Sequence, residues 1–336
     1  VLASAGHDPV VKVWDLPSGK ERRTFPRAEG VKDLESLALS PDGALLATGH
    51  GGNPAVVKVW DVATGKEQHT LKGDYHVHIL AFSPDGKKLA ASGHYGNTRL
   101  WEVATGKLLR EWWGGTVAFS PDSKQLATGS GNTVAFWEVA TGQRRPAPEE
   151  DTPAARCVAF SPDGRTLAWG SGEGRIALWD VATRKEQRVL KGHQGEVRWL
   201  GFSPDGKRLV TQGADGLVKA WNPATGGVTL GLSYSGPVAV PPDGKSLVLK
   251  DAAPNGLRVW DMAAAKVVRT LLGPPGGFGP LALSPDGKLL ALGVSDGAVK
   301  LWEVDADRER GTLKEPHSDV RSLAFSPDGK VLATLH

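Results

Sequence analysis

The sequence predicts an all-β protein assembled from repeated four-stranded antiparallel sheets, and three observations lead there. A Ser-Pro-Asp-Gly string, or a close variant, recurs with its Asp at 42, 85, 122, 163, 205, 243, 286 and 328. A Trp followed by Asp, Glu or Asn recurs at Trp14, Trp60, Trp101, Trp137, Trp179, Trp221, Trp260 and Trp302, strictly alternating with the first marker. Between the markers lie short apolar or alternating runs rich in β-branched and aromatic residues, the pattern of strands, and no window has a convincing helical period.

Each unit reads as four strands in a fixed order. The first is an apolar run before the Ser-Pro-Asp-Gly turn, such as Leu323-Ala324-Phe325, and the second follows it, as in Leu45-Leu46-Ala47-Thr48. The third alternates, as in Val57-Lys58-Val59-Trp60, and the fourth is more polar, as in Glu67-Gln68-His69-Thr70-Leu71. In the Ser-Pro-Asp-Gly turn, Pro presets φ, Asp can bond nearby backbone, and Gly takes the positive φ that closes a tight hairpin. Ala-Thr-Gly plays the same part between third and fourth strands at 63–65, 104–106, 140–142 and 224–226.

A lone four-stranded sheet cannot bury both faces. Eight in succession can stack radially, each covering its neighbour, which is a β-propeller. On these residues, and most specifically on Val-Lys-Val-Trp-Asp-Val-Ala-Thr-Gly-Lys at 57–66, the whole chain resembles the WD40-repeat family. An eight-bladed propeller spanning 1–336 as one domain is therefore expected. Its closure is also legible. Val331-Leu332-Ala333-Thr334 repeats Val1-Leu2-Ala3-Ser4, so the chain begins and ends in the same phase of a repeat. The last blade is expected to be shared between about 1–25 and 318–336, with either 1–5 or 331–335 as its second strand. Pairing of the terminal strands would close the ring and remove exposed sheet edges.

The resemblance further implies a buried hydrogen-bonded tetrad of His, Ser/Thr, Asp and Trp in a blade. One set matches fully: His193, Thr211, Asp215 and Trp221. A second, His317 with Ser4, Asp8 and Trp14, comes together only if the ring closes. Elsewhere the pattern lapses, with Tyr95 in the Asp place and Trp169 and Leu292 in the Ser/Thr place. The tetrads are read as structural, since buried polar groups must be satisfied. A Ser-His-Asp-like hydrolase triad is the rival reading.

Function is expected on the side carrying the fourth-to-first connections. The span from each Trp to the next turn Asp ranges from 21 to 28 residues, whereas that from Asp to its own Trp ranges only from 15 to 18. Variation on one side of a rigid scaffold marks a binding surface. Tyr75, Tyr95 and Tyr234, together with Trp112-Trp113 where one connection is nearly deleted, fall in these variable parts. Arg198 and Trp199 lie beside them on a first strand. Aromatics and Arg are the usual anchors of protein interfaces, so these seven residues are the candidate site for a protein or peptide partner.

Other readings are weaker. His7, His50 and His94 follow Gly in three consecutive repeats, with His76 nearby, but equivalent positions on adjacent sheets stand roughly 10 Å apart against ~2.1 Å for a metal–nitrogen bond. They are expected as solvated loop residues, with no metal or other cofactor. Residues 143–156 carry prolines that should leave a fourth strand short or missing, and an acidic run, Glu149-Glu150-Asp151, expected to be solvated. The single cysteine, Cys157, excludes an intrachain disulfide and a Cys-based zinc site and reads as a small core residue. A net charge of +3, from 40 Lys and Arg against 37 Asp and Glu, argues against nucleic acid. No apolar stretch approaches the ~18 residues that span a bilayer. The expected protein is a non-catalytic scaffold, a monomer, with a cytoplasmic location favoured and a composition rich in Ala, Gly, Arg and Pro of a bacterial kind. A sensor or regulatory domain of a larger protein, allowed by a start at Val1, and a propeller hydrolase are the alternatives.

Overall fold

The computed structural model describes residues 11–16, 18, 20–25, 34–52, 54–73, 76–93, 97–130, 133–145, 155–203, 205–233, 238–239, 246–250, 256–261, 264, 266–272, 278–294, 297–313, 320, 322–325 and 329–335. Their strands form eight four-stranded sheets. Seven follow chain order and span 34–72, 79–113, 116–145, 155–191, 197–233, 238–272 and 278–313. The eighth is composite. Lys20–Phe25 and Val11–Asp15 join Val331–Leu335 and Ser322–Phe325, in that order across the sheet. Trp14 stands opposite Leu332 and Lys12 opposite Thr334. The second strand is thus supplied by 331–335, while residues 1–5 lie outside the described residues. The chain divides into two compact units, 1–80 with 235–336, and 81–234.

The sheet of 34–72 shows why these sequences fold as they do. Its first strand, Leu34–Leu39, turns through Ser40–Gly43 into Leu45–His50. Gly43 adopts φ 70°, the left-handed region that glycine enters without a steric cost. The Ser40 hydroxyl donates to Asp42 Oδ1 at 2.5 Å and accepts from the Leu45 N–H at 2.9 Å. The same serine–aspartate bond recurs at 2.6 to 2.7 Å at Ser83, Ser120, Ser161, Ser203 and Ser284. It is the foremost cause that holds the carboxyls of Asp42, Asp122, Asp163 and Asp205 below their ordinary range, aided by backbone N–H donors. The third strand, Val56–Asp61, meets the fourth, Glu67–Lys72, with a bulge between Val59 and Trp60. Asp61 accepts from the Thr64 N–H and hydroxyl, both at 2.7 Å, and fixes that turn. The fourth strand of 116–145 is shortened to Arg144–Arg145, as the prolines after it require.

Within the sheet of 34–72 burial is greatest in the second strand and least in the fourth. In Leu45–His50 every residue after Leu45 is buried, while the fourth strand Glu67–Lys72 is largely exposed apart from Leu71. A second strand covered on both faces needs cover from another sheet. One hydrophobic cluster accordingly joins Ile176, Leu178 and Leu190 to Val197, Leu200, Leu209 and Trp221 of the next sheet. The close approach uses glycine. A Cβ built on Gly170 would lie 2.6 Å from Val197 and 2.9 Å from Cys157 Sγ, and one on Gly49 would lie 2.5 Å from Val77 Cγ1. The outer strands are stapled too. Fourth-strand arginines reach the third-to-fourth turn of the following sheet, Arg23 Nη2 to Ala63 O at 2.7 Å, Arg110 Nη2 to Thr141 O at 2.8 Å, Arg188 Nη2 to Ala224 O at 3.0 Å and Arg269 Nη1 to Asp305 O at 2.8 Å.

Arg184 occupies the glycine place of its third-to-fourth turn at φ 58°. A non-glycine residue there is disfavoured by about 1–2 kcal/mol, partly offset by the greater freedom of glycine in the unfolded chain. Arg184→Gly is expected to stabilise the protein by about 0.5–1 kcal/mol, read as a raised urea midpoint with an unchanged slope.

Candidate functional site

His193, Thr211, Asp215 and Trp221 are brought together. Trp221 Nε1–H donates to Thr211 Oγ1 at 2.9 Å, and the Thr211 hydroxyl stands 2.8 Å from His193 Nε2. His193 Nδ1 lies 3.0 Å from both Asp215 oxygens, which also accept from the Gln194 N–H at 2.9 Å and the Leu217 N–H at 3.1 Å. Since indole only donates, the threonine hydroxyl is left to donate to Nε2, which puts the imidazole proton on Nδ1 toward Asp215. Burial holds His193 below its ordinary value, against the opposing pull of Asp215. Asp215 is itself lowered: burial works against its charge, but the Gln194 N–H, His193 and the Leu217 N–H prevail. Gly213 makes room, since a Cβ there would lie 2.3 Å from His193 Nδ1. Thr211 is fully buried, so its hydroxyl is closed off from solvent as well as bonded to Trp221 and His193. Thr211→Val leaves the buried indole N–H and the imidazole Nε2 without their partner, and is expected to cost about 1–3 kcal/mol by urea denaturation.

Of the second expected set, Trp14 is buried in Val11–Asp15, and Ser4, Asp8 and His317 lie outside the described residues. A related group was not anticipated. Trp60 Nε1–H donates to Thr48 Oγ1 at 3.0 Å, which lies 2.9 Å from His50 Nε2. His50 is therefore buried at the end of a second strand, not a solvated loop residue. Its spacing of two from Thr48, which puts both side chains on one face of a strand, was the available signal. His7 and His94 lie outside the described residues.

The candidate partner-binding residues are spread over several elements. Tyr75, Tyr95 and Tyr234 lie outside the described residues, as does Glu149-Glu150-Asp151. Trp112 and Trp113 were expected in a connection, but they end the fourth strand Leu108–Trp113. Trp112 pairs with Thr98 and Trp113 with Asn97, so their side chains take opposite faces. Trp112 is 7% exposed, 5.0 Å from the Trp137 ring, and donates to Gly142 O at 3.5 Å. It fills the inward place held by Leu71 and Leu190 in other fourth strands. Trp113 is 69% exposed. Trp112→Ala is expected to destabilise the protein by about 3–5 kcal/mol and Trp113→Ala by under about 0.5 kcal/mol, a contrast that thermal or urea unfolding reads directly.

Arg198 and Trp199 lie on the first strand Val197–Phe202, where the pairing shifts between Val197 and Trp199, so that Arg198 is the bulged residue. A bulge re-aims a side chain, and Arg198 is exposed. The Trp199 ring lies along its own strand over Gly201, half-buried. Glu35 and Arg156 are the bulged residues of two other first strands. Arg156 Nε lies 3.1 Å and Arg198 Nε 3.8 Å from the Glu196 carboxylate, so charged groups gather where one sheet's bulge meets the segment leading into the next. Cys157 packs beside Arg156, its thiol donating to Val197 O at 3.3 Å. Burial pushes this thiol up to about 12, which keeps it protonated and unreactive in the folded protein.

Comparison with known proteins adds the following. The family model "WD domain, G-beta repeat" matches residues 19–61, 65–102, 115–138, 150–180, 184–222, 266–303 and 308–334, more than half of the chain. The chain is similar to apoptotic protease-activating factor 1 of Rattus norvegicus, 30% identical over 157 residues that cover 42% of this chain and 12% of that protein. WD repeat-containing protein SL1-17 of Schistosoma mansoni is 28% identical over 150 residues, covering 43% of this chain and 48% of that protein. Small ribosomal subunit protein RACK1 of Drosophila melanogaster is 29% identical over 156 residues, covering 42% and 47%. The chain thus matches from about an eighth to about half the length of these relatives. Among solved structures, the Cps50 (Swd1) β-propeller domain of Myceliophteria thermophila superposes with a TM-score of 0.61 at 19% identity, covering 81% of this chain and 96% of that one. At that identity the likeness shows a common fold, the β-propeller.

Proposed function

Because the chain belongs to the WD domain, G-beta repeat family, we propose that it is a non-catalytic interaction module that binds a protein or peptide partner through the side bearing its bulged first strands and variable connections. The observation that carries this reading is the contrast between the two kinds of connection. The Ser-Pro-Asp-Gly turns are nearly identical and satisfied by their own serine and aspartate, whereas the first strands deliver different charged residues, Glu35, Arg156 and Arg198, at one equivalent bulge. Trp113 adds a large exposed aromatic surface on an outer strand. Relatives in the family, such as RACK1, share the repeat but are matched only in part, so the partner's identity is not carried over from them.

In this reading the eight sheets are eight blades of one ring. The composite sheet, with strands from both ends of the chain, joins the last blade to the first. The His193 network serves as a blade pin, because Thr211 and Trp221 are fully buried and no substrate reaches the hydroxyl. Tyr75, Tyr95 and Tyr234 are included in the proposal on their sequence position in the variable connections alone. Trp112 takes no part in it, since it is buried.

The test is capture of partners by the intact chain against the Trp113→Ala/Arg198→Ala double variant. Truncating an exposed aromatic and an arginine anchor is expected to weaken the captured complex by roughly tenfold or more without altering the unfolding midpoint. Equal capture by both proteins would overturn the assignment of this surface.

A further inference from the structure

Glu35, the residue that bulges out of Leu34–Leu39, meets the segment 76–78 that leads into the strand Ile79–Phe82. Its carboxylate lies 2.5 Å from His76 Nδ1 and 3.9 Å from His78 Nδ1. One ligand atom from each of the three residues falls within 4.8 Å of the others. The two imidazoles stack, with centroids 5.5 Å apart and planes 5° from parallel. That follows from the sequence His-Val-His in extended chain, where alternate side chains share a face and the residue between points the other way.

The donors are mounted, not merely adjacent. Glu35 Oε2 accepts the Val77 N–H at 2.9 Å, and the Ser36 hydroxyl donates to the Val77 carbonyl. The Val77 side chain is buried against Gly49. Val77 is therefore held at its N–H, its C=O and its side chain, and the histidines on either side of it inherit that position. Gly51 passes alongside. A Cβ there would lie 2.4 Å from Glu35 Oε1 and 3.4 Å from His76 Nδ1, so glycine keeps the space before the donors open.

The equivalent station further along the chain shows what is particular here. There Arg156 meets Glu196 and Arg198 across Val197, an arrangement of two cations and one carboxylate. Guanidinium has no lone pair to offer a metal. At the first station all three groups carry one: two imidazole nitrogens and a carboxylate.

We propose that Glu35, His76 and His78 form a zinc site. Zn²⁺ is held by His nitrogen at about 2.0–2.1 Å and by carboxylate oxygen at about 2.0–2.2 Å, which puts tetrahedral donors roughly 3.4 Å apart. The His78–Glu35 distance is already close to this. On binding, the metal takes the place of the Nδ1 proton in the His76–Glu35 hydrogen bond, and the neutral imidazole carries its proton on Nε2 instead. Two imidazoles favour zinc over Ca²⁺ and Mg²⁺, which take oxygen ligands. Both histidine side chains are 45% exposed, so the ion has a path in from solvent and a fourth position open to water.

Zinc titration of the metal-stripped full chain against a chromophoric chelator tests the site. About one equivalent is expected to bind, and His78→Ala, His76→Ala or Glu35→Gln should each weaken binding by roughly 100-fold. His69→Ala, on the outer strand Glu67–Lys72, should leave it unchanged. Because Glu35 also holds the Val77 N–H, the histidine variants decide the matter if Glu35→Gln alters the circular dichroism. Co²⁺ in place of Zn²⁺ should give the wild type a visible ligand-field spectrum that His78→Ala lacks. Failure of the wild type to bind zinc, or undiminished binding by His76→Ala/His78→Ala, would show a plain imidazole–carboxylate pair and overturn the proposal.

Discussion

The recurring constraint in this protein is the bare backbone at the end of four of the second strands. Gly49, Gly170 and Gly293 receive Val77, Val197 and Val320 from the following repeat, and Gly129 receives Ala155. An added Cβ at any of the four would fall 2.5 to 2.8 Å from that side chain, closer than atoms pack. Each seat buries an aliphatic residue, worth about 1.5–3 kcal/mol for a valine. Each also sets where the next first strand begins. Ser36 and Cys157 add a donor to the carbonyl of the seated Val77 and Val197. The bulges at Glu35, Arg156 and Arg198 sit beside these seats, so the charged groups they aim are positioned by core packing and not by loop conformation.

The outer strands obey a second rule. Third-strand cations pair with fourth-strand glutamates, as Lys12 with Glu21 at 2.8 Å, Lys300 with Glu309 at 2.7 Å and Arg175 with Glu186 at 2.5 Å. Exposed pairs of this kind contribute little stability, about 0–1 kcal/mol each, but charge on an outer strand discourages edge-to-edge pairing. The arginine staples from Arg23, Arg110, Arg188 and Arg269 come from alternate sheets, so successive sheets are tied in twos through their fourth strands. The polar groups of these turns are thus taken up within the structure, and the opposite connections are left to vary.

Much of this was legible because strand residues obey a period of two and turns have narrow conformational needs. The Ser-Pro-Asp-Gly turns and the four-strand phase follow from local chemistry, whereas the His193 network was implied by the resemblance to the WD40-repeat family. The Trp112-Trp113 pair was harder. Two adjacent aromatics look alike in sequence, and only the register, Trp112 opposite Thr98 and Trp113 opposite Asn97, separates the buried ring from the exposed one. Aligning Leu108–Trp113 with Glu67–Lys72 would have put Trp112 in the place of Leu71 and recovered the phase. His50 misled for the same reason: following Gly49, it looked like the start of a connection, although the strand runs on through it.

By itself, the sequence determined an all-β chain of repeated four-stranded sheets, since β-branched alternation and fixed turn residues leave the backbone few other ways to satisfy its hydrogen bonds. It also determined that the two ends of the chain share one phase of the repeat. Tertiary structure alone decided which terminal segment fills the composite sheet, because 1–5 and 331–335 are chemically near-equal competitors for one set of backbone partners. It likewise decided that Glu35 meets His76 and His78, groups 41 and 43 residues apart. No periodicity encodes that meeting. It depends on a bulge in one strand and on a valine seated against a glycine, and both exist only once neighbouring sheets have packed.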